Sequence, residues 1–137
     1  MKLTNLQVLN AMYALNSLSQ QKMPVKLAWK ITTAVRSLEP FAKAVDEPMK
    51  DIRMKFAVKD DNGNYLEAVD SDGNLLPNTV QIPTDRLTIV NKEMDELLSQ
   101  IIEVHNVQFN LSDFPDSLQV EPVVMNALMI MIDDQPE

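Results

Sequence analysis

The chain has 137 residues, of which 45% are apolar and 23% are charged, an ordinary size and composition for one globular domain. It contains no cysteine, which excludes disulfides, thiolate metal sites and a cysteine nucleophile. No apolar run reaches the length of a membrane span, about 18 residues, and residues 1–5 lack the apolar core of a signal peptide. We therefore expect a single domain, residues 1–137, in the cytoplasm and away from membranes.

The net charge of −8 is unevenly distributed along the chain. Residues 1–50 carry a net charge of +4, whereas residues 51–137 carry −12. Because an acidic surface repels nucleic-acid phosphate, direct nucleic-acid binding is not expected. The acidic half either attracts a basic protein partner or serves solubility alone, and the sequence leaves both interpretations open.

The first forty residues predict two helices joined by a short connection. Thr4 and Gln7 form a capping-box pattern, and residues 8–18 place apolar side chains at helical spacing behind it. Pro24 suits the first turn of a second helix, whose apolar face covers residues 27–38. The spacing predicts a helical hairpin at the N-terminus.

Two prolines interrupt the helical pattern that follows. Apolar residues keep roughly helical spacing from 41 to 56, across Pro40 and Pro48. Since each proline removes one hydrogen bond and crowds the preceding turn, we expect breaks or kinks near Leu38 and Asp46.

The middle of the chain has a different character. The only two glycines lie in the polar turns Asn62-Gly63 and Asp72-Gly73, which supply the positive φ angles that tight hairpins require. The apolar segments beside these turns predict a small antiparallel β-meander over residues 58–83. Its predicted strands are Lys55–Val58, Tyr65–Val69 and Leu75–Ile82, the last confined to an edge by prolines.

The last third predicts a helix, a strand and a short helix. A helix begins near Thr84-Asp85, with an apolar face that reaches Ile101 and an acidic opposite face. Residues 107–111 alternate apolar and polar, the period of a half-buried strand, which could join the meander. Glu121-Pro122 starts a C-terminal helix. The residues predicted to share one face of this helix are Val124, Leu128 and Met131.

The residue inventory offers little for catalysis or metal binding. The Asp/Asn-rich turns beginning at Asp60 and Asp70 alternate oxygen side chains as calcium loops do, but their glycines fall at the fourth position, where a hairpin turn needs them. Whether these turns bind calcium is left open. His105 is the only histidine, and two glycines are too few for a phosphate-binding loop. The sequence predicts no enzyme and no catalytic, cofactor or metal residues.

Surface binding therefore becomes the expected mode of action. Residues 123–132 are apolar nearly all round, so that one face can pack on the domain while the other contacts a partner. Methionine also fills irregular cores, and core filling is the favoured interpretation of the methionine cluster in this segment. For Trp29, a core edge and an interface anchor are equally open. The interface candidates are Trp29, Met125, Leu128, Met129, Ile132, Glu93, Asp95 and Glu96.

The order of several short motifs resembles a family of small tailed-phage and prophage proteins of unknown function. The resemblance is carried by ALNSL at 14–18, KMPVK at 22–26, LEP at 38–40 and ELL at 96–98, with the Asp/Asn/Gly-rich hairpin between them. The chain departs from the family at Pro48, where the family pattern continues as helix. The resemblance implies a phage or prophage origin and no particular mechanism.

The predicted fold class is α+β: an N-terminal helical hairpin, a small antiparallel β-meander, an acidic helix and a short C-terminal helix. Its parts are a basic helical part (1–57), the meander (58–83), and the acidic helix, strand and C-terminal helix (84–137). The predicted function is that of a non-enzymatic phage accessory protein that binds another protein, in virion assembly or as a minor particle component. It would act in the host cytoplasm or the virion, with self-association left open. The alternative is an inhibitor that covers a host defence or nucleic-acid-binding protein with its acidic surface.

Overall fold

A computed structural model of the chain describes residues 1–68, 71–72, 74–75 and 79–133. It combines helices with small sheets, which confirms the α+β class. The elements in chain order are β1 (Lys2–Thr4), α1 (Asn5–Leu18), α2 (Val25–Phe56), a 3₁₀ turn (Thr84–Arg86), α3 (Leu87–Leu98), β2 (Ile101–Glu103), β3 (Phe109–Asn110), a 3₁₀ turn (Leu111–Asp113), α4 (Pro122–Leu128), a 3₁₀ turn (Met129–Met131) and β4 (Ile132–Asp133).

The backbone divides into two compact units. The first unit comprises Met1–Ala44 and Ser99–Glu137, and the second comprises Val45–Leu98. These bounds differ from the three predicted parts, because the chain leaves the first unit within α2 and returns to it after α3. The core of the first unit is assembled from α1, the first half of α2, α4 and the short strands. Its largest fully buried side chains are Phe109, Leu15, Leu18, Leu27, Leu38, Leu128 and Met131.

Helix α1 begins where the sequence predicts. The Thr4 hydroxyl accepts a hydrogen bond from the Gln7 amide (3.1 Å), and the Gln7 side-chain oxygen accepts one from the Thr4 amide (2.9 Å). This capping box satisfies two amides that the first turn would otherwise leave without partners. Helix α4 packs against α1. The buried face of α1 includes Ala11 and Ala14, whose small side chains permit a short distance between helices.

Of the breaks or kinks predicted near Leu38 and Asp46, a break is wrong, because α2 continues without interruption through Pro40 and Pro48; a kink at either proline stays a prediction. The carbonyls that lose a hydrogen bond to these prolines belong to Arg36 and Ala44, four residues earlier. Arg36 and Ala44 are both exposed, so water can take the place of the missing donors. Burial of Leu38 just before the first proline supplies packing energy that outweighs the local penalty.

Two short sheets complete the first unit. Strands β1 and β2 pair antiparallel with Leu3 opposite Ile102, so that Ile101 belongs to a strand and not to the acidic helix as predicted. Strand β3 pairs in parallel with β4, placing Phe109 opposite Ile132. The predicted alternation is real, since Phe109 is buried between exposed neighbours, and among the described residues its strand partner is β4. Parallel pairing needs a long crossover, and the segment containing α4 provides it.

The second unit contains only a fragment of the predicted meander among its described residues. The Asn62-Gly63 turn is confirmed: Gly63 has a φ of +81°, and the turn leads into a bridge between Lys59 and Tyr65. The Val58 amide donates to the Gln81 carbonyl (2.8 Å), which brings the third predicted segment alongside the first. The strand predicted at 55–58 is wrong at its start, since residues 55–56 still belong to α2.

Parts of the predicted meander lie outside the described residues. These are residues 69–70, Gly73 of the second turn, and residues 76–78. Among the described apolar residues of the second unit, Val45 of α2 and Val90 of α3 are the deeply buried ones. The described part of this unit therefore has a much smaller core than the first unit.

Candidate protein-binding surface

The start of α2 presents two large apolar side chains to solvent. Val25 is 86% exposed and Trp29 68% exposed, and they lie one helical turn apart on the same face. Leu27 and Ile31 lie on the opposite face of the same turns and are buried in the core of the first unit. Because the helix is anchored through Leu27 and Ile31, its geometry holds Val25 and Trp29 outward. We call Val25, Lys26, Trp29 and Lys30 the α2 patch.

Trp29 lines two open clefts. The first cleft has a volume of about 410 Å³ and is lined by Val25, Leu27 and Trp29 together with Lys26, Lys30 and Asp113. The second cleft has a volume of about 330 Å³ and is lined by Thr33, Asn106 and Gln108 together with Trp29 and Lys30. The indole therefore contributes to one cleft with a mainly apolar lining and to another lined by hydroxyl and amide groups. An exposed aromatic ring that lines two clefts can anchor a partner.

An ion pair holds the edge of the first cleft in place. Lys30 Nζ donates to Asp113 Oδ2 at 2.6 Å, and the Asn110 amide donates to the same oxygen at 2.8 Å. Burial alone would raise the pKa of Asp113, but the hydrogen bonds from Lys30 and Asn110 and the charge of Lys30 lower it below its usual value. Asp113 therefore stays ionised at neutral pH and fixes both the 3₁₀ turn and the Lys30 side chain.

A tight turn supplies the edge of the second cleft. Asn106 has a φ of 62°, a left-handed conformation that asparagine adopts more readily than most residues. The turn lets Val104 and Val107 both enter the core while His105 and Asn106 remain exposed.

The structure sorts the C-terminal interface candidates into three groups by exposure. Met129 is 62% exposed and is available to a partner, whereas Leu128 is completely buried. Leu128 is therefore a core residue, and its prediction as an interface candidate is wrong. Met125 and Ile132 are half-buried, and Ile132 is also tied into the β3–β4 pair. The spacing of apolar residues cannot separate core residues from surface residues when both faces of a segment are apolar.

The acidic candidates lie on α3, in the second unit. Asp95 and Glu96 are exposed, and Glu93 is half-buried. Glu93 Oε1 contacts Lys55 Nζ of α2 at 3.3 Å, so part of its charge is balanced within the unit. The acidic face available to a partner is accordingly narrower than the sequence predicts.

Further observations concern metal binding and membrane insertion. They contain no cluster of three His, Cys, Asp or Glu side chains that could hold a metal ion. In the predicted calcium-like turn, Asp60 Oδ1 accepts hydrogen bonds from the amides of Asn62 and Asn64, both at 2.9 Å, as in an ordinary Asx turn. No helix within the described ranges combines the length and apolar character needed to cross a bilayer.

Comparison of the chain with protein-family models, with curated proteins and with solved structures finds no match. The site is therefore interpreted from its own geometry. The sequence reasoning identified Trp29 but missed Val25, although the four-residue spacing of the two on a helix was a usable signal. It also missed Tyr13 and Val123, which are about two-thirds exposed on α1 and α4.

Proposed function

We propose that the protein is a non-enzymatic phage accessory protein that binds another protein through the α2 patch, in virion assembly or as a minor component of the particle. The single observation that carries the binding role is the outward position of Trp29, which lies beside Val25 and lines two clefts. The phage context rests on the motif resemblance alone.

The composition of the α2 patch supports this role. Burying Trp29 and Val25 against a partner would remove a large apolar area from water, and Trp is over-represented among residues that dominate binding energy. Lys26 is exposed and adds a positive charge, whereas Lys30 is already paired with Asp113. A partner that fits would combine an apolar group for the clefts with an acidic group for Lys26.

The test uses the fact that Trp29 is the only tryptophan in the chain. Tagged wild type, Trp29→Ala and the control Ile101→Ala are expressed in phage-infected cells, and captured proteins and purified particles are quantified by mass spectrometry. Ile101 is a suitable control because it is apolar and 67% exposed but lies on β2, outside the patch. We expect a phage protein whose recovery falls with Trp29→Ala and is unchanged with Ile101→Ala.

The purified partner then gives a direct measurement. When the wild type is titrated with the partner, the Trp29 fluorescence should shift to the blue as the indole leaves water. Trp29→Ala should weaken the affinity for the partner by about 30-fold, as for a binding hot spot. The proposal fails if no captured phage protein depends on Trp29, or if the partner leaves the Trp29 emission unchanged.

A second candidate function, inhibition of a host defence or nucleic-acid-binding protein, is favoured by the exposure of Asp95 and Glu96 on α3. Salt separates the two candidates. An interface built on acidic side chains weakens steeply as salt screens its charges, whereas an interface centred on Trp29 depends on salt only weakly. The variant pair Asp95→Asn and Glu96→Gln, which keeps side-chain size, should abolish binding only in the inhibitor case.

A further inference from the structure

Two adjacent helices of the first unit carry no charged residue. Helix α1 is free of charge over all fourteen residues, Asn5–Leu18, and so is the segment 122–132, which contains α4. Charged residues make up 23% of the chain, so two uncharged stretches of this length are unusual. The two helices pack against each other, which brings their uncharged residues together along one groove.

The surface around this groove is exposed. The groove between the helices has a volume of about 360 Å³ and is lined by Gln7, Asn10 and Tyr13 of α1 and by Val123, Asn126 and Ile130 of the α4 segment. Tyr13 is 66% exposed and Val123 is 65% exposed. We call this set of six residues the neutral face. Depletion of charge together with exposed aromatic and apolar groups is the compositional signature of an interface core.

We propose that the neutral face is the interface of a two-fold symmetric homodimer. A chain with a net charge of −8 repels a second copy of itself, and acidic groups facing each other would add local repulsion. The neutral face is a place where two copies can meet without that added cost. For two unlike proteins, opposite charges would speed and orient the association, and the neutral face offers no charge for that purpose.

The chemistry of the side chains also fits a self-complementary interface. In a two-fold dimer, each patch must complement an identical patch. The amides of Asn10, Asn126 and Gln7 each carry both donors and an acceptor, so two copies of the same side chain can hydrogen-bond to each other. Carboxylates and ammonium groups cannot do so with their own kind. The apolar groups Tyr13, Val123 and Ile130 are likewise compatible with copies of themselves.

The dimensions of the face set the expected affinity. Fourteen helical residues extend about 21 Å, and two packed helices together are about 20 Å wide. A face of this size lies at the lower end of specific protein interfaces, so the dimer should be weak, with a dissociation constant in the micromolar range.

Sedimentation velocity of the full chain, over about 1 to 300 µM, tests the proposal. The wild type should shift from monomer to dimer with concentration. Because salt screens the repulsion between two acidic copies, the dimer should become tighter when the ionic strength is raised from about 0.05 to 0.5 M. This direction is opposite to that of an interface built on oppositely charged residues.

The variant Tyr13→Glu places two carboxylates in the interface and should weaken dimerisation at least about tenfold. Asn126→Asp, on the other helix, should act in the same direction and provides a second reading if Tyr13→Glu perturbs folding. The matched control is Trp29→Glu, an aromatic-to-acid change at a helix position of equal exposure outside the neutral face. It should leave the dimer unchanged, and circular dichroism should confirm that all three variants fold.

A wild type that remains monomeric at about 300 µM in both salts overturns the proposal. So does a dimer that survives both Tyr13→Glu and Asn126→Asp, or one that Trp29→Glu dissociates. If the neutral face instead binds a different protein, the two neutral-face variants lose that protein while the wild type stays monomeric, and the homodimer is refuted. Failure of the α2 patch would appear only in Trp29 variants, so the two proposals are tested separately.

Discussion

The neighbouring residues Leu128 and Met129 provide a direct test of where the core ends. Both belong to an apolar segment in which the sequence does not separate core from surface, yet Leu128 is completely buried and Met129 is 62% exposed. Leu128→Ala removes three buried carbons, worth about 2.4 kcal/mol of transfer free energy at about 0.8 kcal/mol each. The cavity left behind brings the expected loss in the free energy of unfolding to about 3 kcal/mol.

Met129→Ala is the matched control, because it shortens a side chain of similar size that already contacts water. Its expected effect on the free energy of unfolding is below about 0.5 kcal/mol. For a chain of this length, 3 kcal/mol corresponds to a decrease in melting temperature of about 10 °C. Urea denaturation followed by circular dichroism should show a lower midpoint for Leu128→Ala with an unchanged m-value.

The reasoning would be refuted if the two alanine variants lost similar stability, or if Leu128→Ala cost less than about 1 kcal/mol. Either result would mean that α4 does not dock on the first unit through the face that contains Leu128. The neutral face and the β3–β4 crossover would then need to be reassigned, since both depend on the same orientation of α4.

Three further predictions concern single positions. Pro40→Ala should stabilise the protein by about 1–3 kcal/mol, because the new backbone amide at position 40 can donate to the exposed Arg36 carbonyl. An unchanged midpoint of urea denaturation would contradict a continuous helix at this position. Asp113→Asn should lower the free energy of unfolding at neutral pH. Because folding depresses the pKa of Asp113, the difference in the free energy of unfolding between wild type and variant should be largest above about pH 4 and should disappear as the pH falls through the pKa of the folded state. A difference that grew towards acid pH would disprove the Lys30 contact. Gly63→Ala should cost about 1 kcal/mol through its φ of +81°, although nothing lies within 4 Å of the added methyl; thermal unfolding with no change would contradict the turn.

The parts of the fold that depend on local interactions could be predicted from the sequence. The capping box at Thr4 and Gln7 involves residues three apart, and the Asn62-Gly63 turn follows from the conformational freedom of one glycine. The alternation around Phe109 was likewise visible, because burial of one strand face has a period of two. The sequence did not decide whether Trp29 is exposed, because an indole can lie on either the buried or the exposed side of an amphipathic helix.

The features that the sequence did not predict depend on energies summed over distant residues. Continuation of α2 through Pro40 is one such case, because the local penalty is offset by packing of residues that no local window contains. The parallel pairing of β3 with β4 is another, since residues 109 and 132 meet only when α4 has docked.

The sequence by itself determined the absence of cysteine chemistry, the uneven distribution of charge, the cap of α1 and the mixture of helix and turn. These properties reside in single residues or in neighbours a few positions apart. Only the tertiary structure decided which side of 123–132 is core, that α1 lies against α4, and that their uncharged residues line one groove. The division has a physical cause: hydrogen bonds in a turn act over a few residues, whereas burial depends on which distant segments exclude water together.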